Sequence, residues 1–404
     1  MSKRFPNPRL GPADEPRPSL PVRAVNNPRV RAVCIQVAVF AVLVFALAAA
    51  VFNTAHNLRK AGIASGFEFL GHVSGFDIGQ SLIEYSRSST YARVFVVGLL
   101  NTLLVSTVSI FFSTLIGFFL GILRLSPNWL LNRMALVYVE VVRNVPLLLQ
   151  VFFWYIAILS PLPGPRQAID FFGAVFLCNR GLIIPRPVLD EGSRWVILAV
   201  VVAVVGVVGL KIWGDRRQRL TGRRAPVLLL SLLLVAGLPM IAMVATGYPV
   251  RWELPNLKGF NFLGGITLQP EFTALVLALT LYTAGFIAEN VRAGIQAVPT
   301  GQIEAARSLG FRPGKILRLV VIPQAMRVII PPLTSQHLTL VKNSSLAVVI
   351  GYPDLMAVFA GTALNQTGQA VEIIAITMLV YLVISLVISA VMNVYDRKMA
   401  IRER

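Results

Sequence analysis

The sequence predicts an all-α integral membrane protein with about eight transmembrane helices. Composition carries the class: 56% of the 404 residues are hydrophobic and only 14% are charged, whereas soluble domains run to ~45–50% apolar and ~25% charged. Patterning carries the helix number. Charge-free runs occupy 32–58, 94–123, 144–165, 195–210, 225–250, 272–288 and 373–395. An eighth apolar segment, about 326–350, is interrupted by Arg327, Pro331, Pro332 and Lys342. A spanning helix needs ~20 apolar residues. The two short runs, 195–210 and 272–288, reach that length if their ends tilt or snorkel.

In chain order, residues 1–32 hold seven prolines and seven Lys/Arg. Such a segment buries no core and is expected to be a flexible basic cytoplasmic tail. The run at 33–58 exceeds the ~7–15 residues of a signal-peptide h-region, so a permanent first helix is expected rather than a cleaved signal. The helices within 90–165 follow. Residues 166–270 then contribute an outer loop containing "CNRGLIIPRP" and two further spans. Residues 271–400 carry the rest, with a polar interruption at 298–323.

Charge distribution sets the expected orientation. With the N-terminus inside, the inner segments carry 23 Lys/Arg and the outer segments 10. The short loop "GDRRQRLTGRR" is the strongest single vote. This bias places both termini in the cytoplasm by the positive-inside rule. It also accounts for the net charge of +19 without a nucleic-acid partner.

Cys34 and Cys178 fall near opposite membrane faces in this topology, so no disulfide is expected. His56, His72 and His337 are scattered and form no metal-binding pair; no metal ligands are assigned.

The interruption "VPTGQIEAARSLGFRPGKILRLVVIP", 298–323, lies in a cytoplasmic loop. Thr300 is expected to cap a helix, with Pro299 before it. "GQIEAARSL" is helix-compatible, Gly310 suits a left-handed stop, and "RPG" forces a turn. About nine helical residues span ~14 Å, too short to persist alone in water. A docking partner is therefore expected. Ala305 with Leu309, and Ile303 with Ala306, are expected to form one small apolar face. An interfacial lipid helix would instead show bulky apolar residues and a basic face.

This stretch resembles the EAA loop of ATP-binding-cassette importer permeases. In that pattern EAA is followed by three residues, Gly, nine residues, Ile, one residue, Leu and Pro. Glu304, Ala305, Ala306, Gly310 and Pro323 match, and Val320 and Ile322 are conservative replacements. Neighbouring segments extend the resemblance to permeases of polar amino-acid importers. These are "GFIAENVRAGIQAVPTGQIEAA" with Glu289 and Arg292, "VVRNVPLLLQVFFWY" with Arg143 and Pro146, and "LVKNSSLAVVIG". Asn144, Val145, Asn343 and Ser344 depart from the commoner residues. "VGLLNTLLVSTVSIFFSTLIGFFLGILRLS" is similar to the family's first core helix.

The resemblance implies a five-helix type I importer core plus three extra helices. The enlarged form is similar to one permease of the general L-amino-acid importers, which pair two unlike permeases. It implies that Gly301, Gln302, Glu304, Ala305, Ala306, Ser308, Leu309 and Gly310 form a coupling helix. That helix would dock on an ABC ATPase dimer, which binds ATP and Mg. The other implied partners are a homologous second permease and a periplasmic amino-acid-binding protein, in a bacterial inner membrane. The chain itself shows no GxxxxGK[ST] loop; "GFRPGK" has the wrong spacing. No cofactor and no catalysis are therefore expected in this chain.

Charges within spans normally face protein or water, since burial at mid-bilayer costs ~2.5–3.5 kcal/mol. Arg327 and Glu140 suit snorkelling at helix ends. Arg143, Gln150, Glu289, Lys342, Asn343, Ser344 and Ser345 are the candidates for a substrate path. Lys342 stands out, some sixteen residues into its helix with Pro331 and Pro332 upstream expected to kink it. A secondary transporter is the competing class, but it needs mid-membrane ion ligands, and only Glu140 and Glu289 approach the spans.

Overall fold

The computed structural model describes residues 28–60, 66–190, 192–222 and 225–399. The expected tail lies outside the described residues up to position 27. Contacts divide the chain into two compact units. One comprises residues up to Phe67 with Thr367–Glu372, and the other comprises Glu68–Gln366 with Ile373 onward. The first unit contains helix α1 (Pro28–Lys60), and in it the Gly66 N–H donates to Glu372 Oε1 at 2.8 Å.

The described residues hold seven helices long and apolar enough to span a membrane, and a bent pair makes an eighth. Beyond α1 these are α2 (Tyr91–Leu123), the pair α3 (Trp129–Asn144) and α4 (Leu147–Phe152), α5 (Ser193–Thr221) and α6 (Val227–Ala245). They continue with α7 (Pro270–Gln296), the segment from α9 (Pro313–Ile316) through α10 (Ile322–Asn343) to Ile350, and α12 (Ala370–Met399). Between them lie two short helices, α8 (Thr300–Ser308) and α11 (Leu364–Thr367).

The third span differs from expectation. The sequence reads as a loop at 124–133 and one helix over 144–165. Instead Asn128 caps α3, its side chain accepting from the N–H groups of Leu130 and Leu131. The chain then bends by 105° before α4, which continues as a wide π-helical turn, Phe153–Leu159. Pro146 explains the break: it has no N–H to donate and disfavours helical geometry in its predecessor. Val145 is accordingly extended, at φ −92° and ψ 125°.

The fold is mainly helical, as expected, with a small β addition. The outer loop and the segment before α7 form eight short strands. A four-stranded antiparallel sheet runs β1 (Ile169–Phe171), β2 (Val175–Cys178), β3 (Gly181–Ile184), β8 (Ile266–Leu268). Two further antiparallel pairs join β4 (Arg186–Leu189) to β5 (Val250–Glu253), across helices α5 and α6, and β6 (Asn256–Lys258) to β7 (Asn261–Leu263), as a hairpin. These runs are too short and mixed to announce themselves by periodicity. Cys178 is buried in this sheet, Cys34 is exposed on α1, and both are free.

α2 and α7 form the centre of the second unit. A Cβ added at Gly117 would stand 2.6 Å from the side chain of Ile287, and one at Gly121 would stand 2.7 Å from Val291. The spacing Gly-x-x-x-Gly thus lets two helix backbones meet, the usual substitute for hydrophobic drive inside a bilayer. α10 runs as helix through Pro331 and Pro332. Its buried His337 meets Thr114 Oγ1 of α2 at 3.0 Å. Large apolar side chains of α5, α6 and α12 face outward, as lipid-facing surfaces do.

Candidate functional site

α8 matches the expected length of nine residues. Thr300 is its first residue and caps nothing; Pro299 takes the capping position without a side-chain bond. The helix stops at Gly310, whose φ is +76°. The Gly310 N–H donates to Arg307 O at 2.8 Å and the Phe311 N–H to Ala306 O at 3.2 Å. This paired closure is the Schellman arrangement, open to glycine because of its positive φ.

The expected single apolar face is divided. Ala306 is buried and Ile303 half-buried, against α9 and the Leu317–Val321 turn, in one apolar cluster with Ile316 and Val321 that extends to Ile287, Val291 and Ile329. Ala305 and Leu309 point away, with Leu309 75% exposed. A step of about 100° per residue separates Ala305 from Ala306. The support that so short a helix needs thus comes first from its own chain. Gly301, Gln302, Glu304, Ala305, Ser308 and Leu309 remain exposed on the other side, and the Ser308 hydroxyl donates to Glu304 O at 3.1 Å.

Glu289 forms an ion-pair hub near the same end of α7. It pairs with Arg124, the residue just after α2, and with Arg292 one turn on. Arg143 is exposed at the end of α3, its guanidinium 5.1 Å from the Phe286 ring centre. Glu289 and Arg143 therefore sit together, and the Glu289 carboxylate already holds two guanidinium partners.

Gln150 and the 342–345 segment meet elsewhere. Gln150 is buried, and its amide donates to Val142 O and Val145 O, both at 2.9 Å. α4 packs against the tight turn Ser344–Ile350 through Leu147, Val151, Ala347 and Ile350. Ser344 donates to Val341 O and Ser345 to Lys342 O, each at 2.7 Å. Their hydroxyl protons are thus engaged with their own helix. Lys342 is exposed one residue before α10 ends, without an ion-pair partner among the described residues. It is eight residues from the end of its span at Ile350, as in the expected 326–350, and the earlier start at Pro313 places it farther from the opposite end.

A buried carboxyl escaped sequence reading. Asp354 is fully buried, one oxygen accepting from Ala357 N–H at 2.8 Å and the other without a partner among the described residues. Burial raises its pKa to about 7. Asn101 of α2 donates to Pro353 O and to Gln80 O, both at 2.8 Å, and Thr102 accepts from Leu355 N–H at 3.0 Å. The signal was "GYPDL", an acid just ahead of an apolar run, but only packing reveals that it is enclosed.

Over 378 residues this chain is 55% identical to the putative amino-acid ABC transporter permease protein YhdX of Escherichia coli, covering 94% of this chain and 96% of that protein. The chain belongs to the amino-acid ABC transporter permeases. It is also 49% identical to the general L-amino acid transport system permease protein AapQ of Rhizobium johnstonii, over 94% of this chain and 95% of that one. With the glutamate/glutamine/aspartate/asparagine transport system permease protein BztB of Rhodobacter capsulatus it shares 40% identity, over 94% and 96%. The family model for the binding-protein-dependent transport system inner membrane component matches residues 219–401, which include α7, α8 and α10. This permease is accordingly a multi-pass membrane subunit of an ATP-dependent importer.

Proposed function

We propose that this permease forms the translocation path for amino acids and receives ATPase motion through α8. The observation that carries the reading is the two-sided α8: Ile303 and Ala306 seat it on α9 and the Leu317–Val321 turn, in an apolar cluster that runs on to Ile287 of α7 and Ile329 of α10, while Glu304, Ala305, Arg307, Ser308 and Leu309 are left outward. The exposed residues of α8 are mostly small and pair one acid, Glu304, with one base, Arg307, a mixture that suits a protein cleft better than the bulky apolar stripe and basic face of a helix lying on lipid headgroups.

On this reading the permease pairs with a homologous, unlike second permease in a bacterial inner membrane, both termini cytoplasmic. An ABC ATPase dimer below binds ATP and Mg, and a periplasmic amino-acid-binding protein delivers cargo above. When the ATPases close, α8 moves with them. Its seat on α9 and the Leu317–Val321 turn leads directly into α10, and the shared apolar cluster extends to Ile287 of α7, so the displacement reaches both helices. The glycine contacts carry it on from α7 to α2. The relatives' names support L-amino acids as cargo, with glutamate, glutamine, aspartate and asparagine named for BztB. Among the path candidates that carry donor groups, Arg143, Lys342 and Asn343 donate no side-chain hydrogen bond among the described residues, whereas Gln150, Ser344 and Ser345 do.

Cross-linking tests the coupling. A Ser308→Cys permease should form a disulfide or a short bifunctional cross-link to an ATPase subunit; failure to reach one at any stage of turnover defeats the reading. Lys342→Met should abolish transport while assembly and basal ATP hydrolysis persist. Loss of assembly would mean that Lys342 pins packing instead.

A further inference from the structure

The end of the bundle opposite α8 carries an open cavity of about 780 Å³. The 27 residues of α7 separate the two ends, a length of ~40 Å. The cavity is walled by the loop before α2, by the start of α7 and by the turn between β2 and β3. That turn is Asn179–Arg180, supplied by the inserted outer loop.

The turn is held in place from both sides. Asn179 N–H donates to Pro163 O at 3.0 Å. β3 pairs with β8 immediately ahead of α7, with Leu182 opposite Leu268. Gly181, at φ +110°, lets Leu268 O come so near that an added Cβ would lie 2.0 Å from it, so only glycine fits there. Arg180 is thereby fixed at the cavity wall, exposed and without an ion-pair partner among the described residues.

The other lining charges differ in kind. Asp77 is already paired with Arg87 at 2.5 Å. Glu271 is half-buried, and its Oε1 accepts only a neutral hydrogen bond, from Tyr155 at 2.9 Å. Gln269 spends its amide N–H on Gly79 O at 2.7 Å. The cavity therefore presents one uncompensated cation and one uncompensated anion, beside polar amide groups. Its volume falls within the ~300–1,000 Å³ of small-ligand sites.

We infer that this cavity is an outer vestibule that receives an α-amino acid as its zwitterion, carboxylate on Arg180 and ammonium on Glu271. The inference rests on the transport reading above. The guanidinium fork matches a carboxylate in geometry and charge. Both groups are solvated, so they hold the cargo weakly enough to let it go, as a passage requires. The inserted hairpin then serves to supply the arginine.

The test uses the whole complex in proteoliposomes with its binding protein and radiolabelled glutamine. In Arg180→Ala, glutamine uptake at saturating binding protein should fall about tenfold, the scale of a lost charge-assisted hydrogen bond. The binding-protein concentration for half-maximal ATP hydrolysis should not move. Arg180→Lys should restore most of the uptake. In Arg180→Cys, a cationic thiol reagent should restore uptake and an anionic one should not, in the same folded protein. A raised half-maximal binding-protein concentration would overturn the inference, since the turn would then be a docking surface. Uptake indifferent to residue 180 would also overturn it. No uptake by the unmodified complex would defeat the transport reading itself.

Discussion

The side-chain amide of Gln150 donates to the carbonyl of Val142 at 2.9 Å, the acceptor that an N–H at position 146 would have taken in a continuous helix. Pro146 cannot supply that donor. The same amide nitrogen reaches Val145 O. A buried side chain thus closes the backbone at the 105° bend, and the bend faces an apolar hollow lined by Tyr138, Val141, Phe153 and Trp154.

Gln150→Leu should therefore destabilise the permease. It strands two carbonyls at a cost of ~1–3 kcal/mol each. Gln150→Glu should be no better, because an ionised carboxylate donates nothing. Thermal unfolding in mild detergent reads the effect; a midpoint unchanged in both variants would remove Gln150 from this role.

The α2–α7 seam gives a second test. Gly117→Leu and Gly121→Val each push side-chain atoms into a helix backbone already at contact distance. Overpacking of this kind costs ~1–3 kcal/mol or more. Gly301→Ala, in open space on α8, should leave stability unchanged. Denaturant titration of the three variants discriminates, and equal midpoints would contradict the close approach.

Asp354 predicts a pH dependence. Burial raises its carboxyl from 3.8 to about 7, so the folded chain keeps a proton that the unfolded chain releases. Its stabilising contribution is complete below pH ~4 and is lost as pH rises to ~7, at up to ~1.4 kcal/mol per unit. Asp354→Asn keeps an acceptor for Ala357 N–H and cannot ionise. Relative to wild type, it should gain stability from pH 5 to pH 8. Parallel pH profiles would show that Asp354 is not held neutral.

The two faces of α8 should separate by phenotype. Leu309→Asp, on the outward face, should leave the permease folded and lower transport by more than ~10-fold, as loss of an interface anchor does. Ala306→Asp places a charge in the apolar cluster that holds Ile316 and Val321 and should destabilise the permease itself. Co-purification of the ATPase and unfolding of the isolated permease measure the two effects. Loss of stability in both variants would show that the faces are not distinct.

Much of this architecture was legible in the sequence. Spanning segments follow from apolar run length, because lipid offers the backbone no partners. The length of α8 and its stop at Gly310 follow from local backbone preference. The bend at Pro146 was legible in principle, yet Arg133, Glu140 and Arg143 interrupt the apolar pattern of α3 and hid the helix. The strands were hidden because three- and four-residue segments gain their stability from pairing across the chain. Leu182 meets Leu268 across 86 positions of sequence.

By itself the sequence determined a membrane class, most of the spans and a short polar helix with the EAA spacing that stops at Gly310, since these depend on composition and on neighbours within a few residues. Only the tertiary structure decided which side of α8 is anchored, that Gln150 serves the bend, that Asp354 is enclosed and that Arg180 stands beside the start of α7. Each of those depends on groups from distant segments meeting within a few ångströms, and a one-dimensional pattern carries no record of that distance.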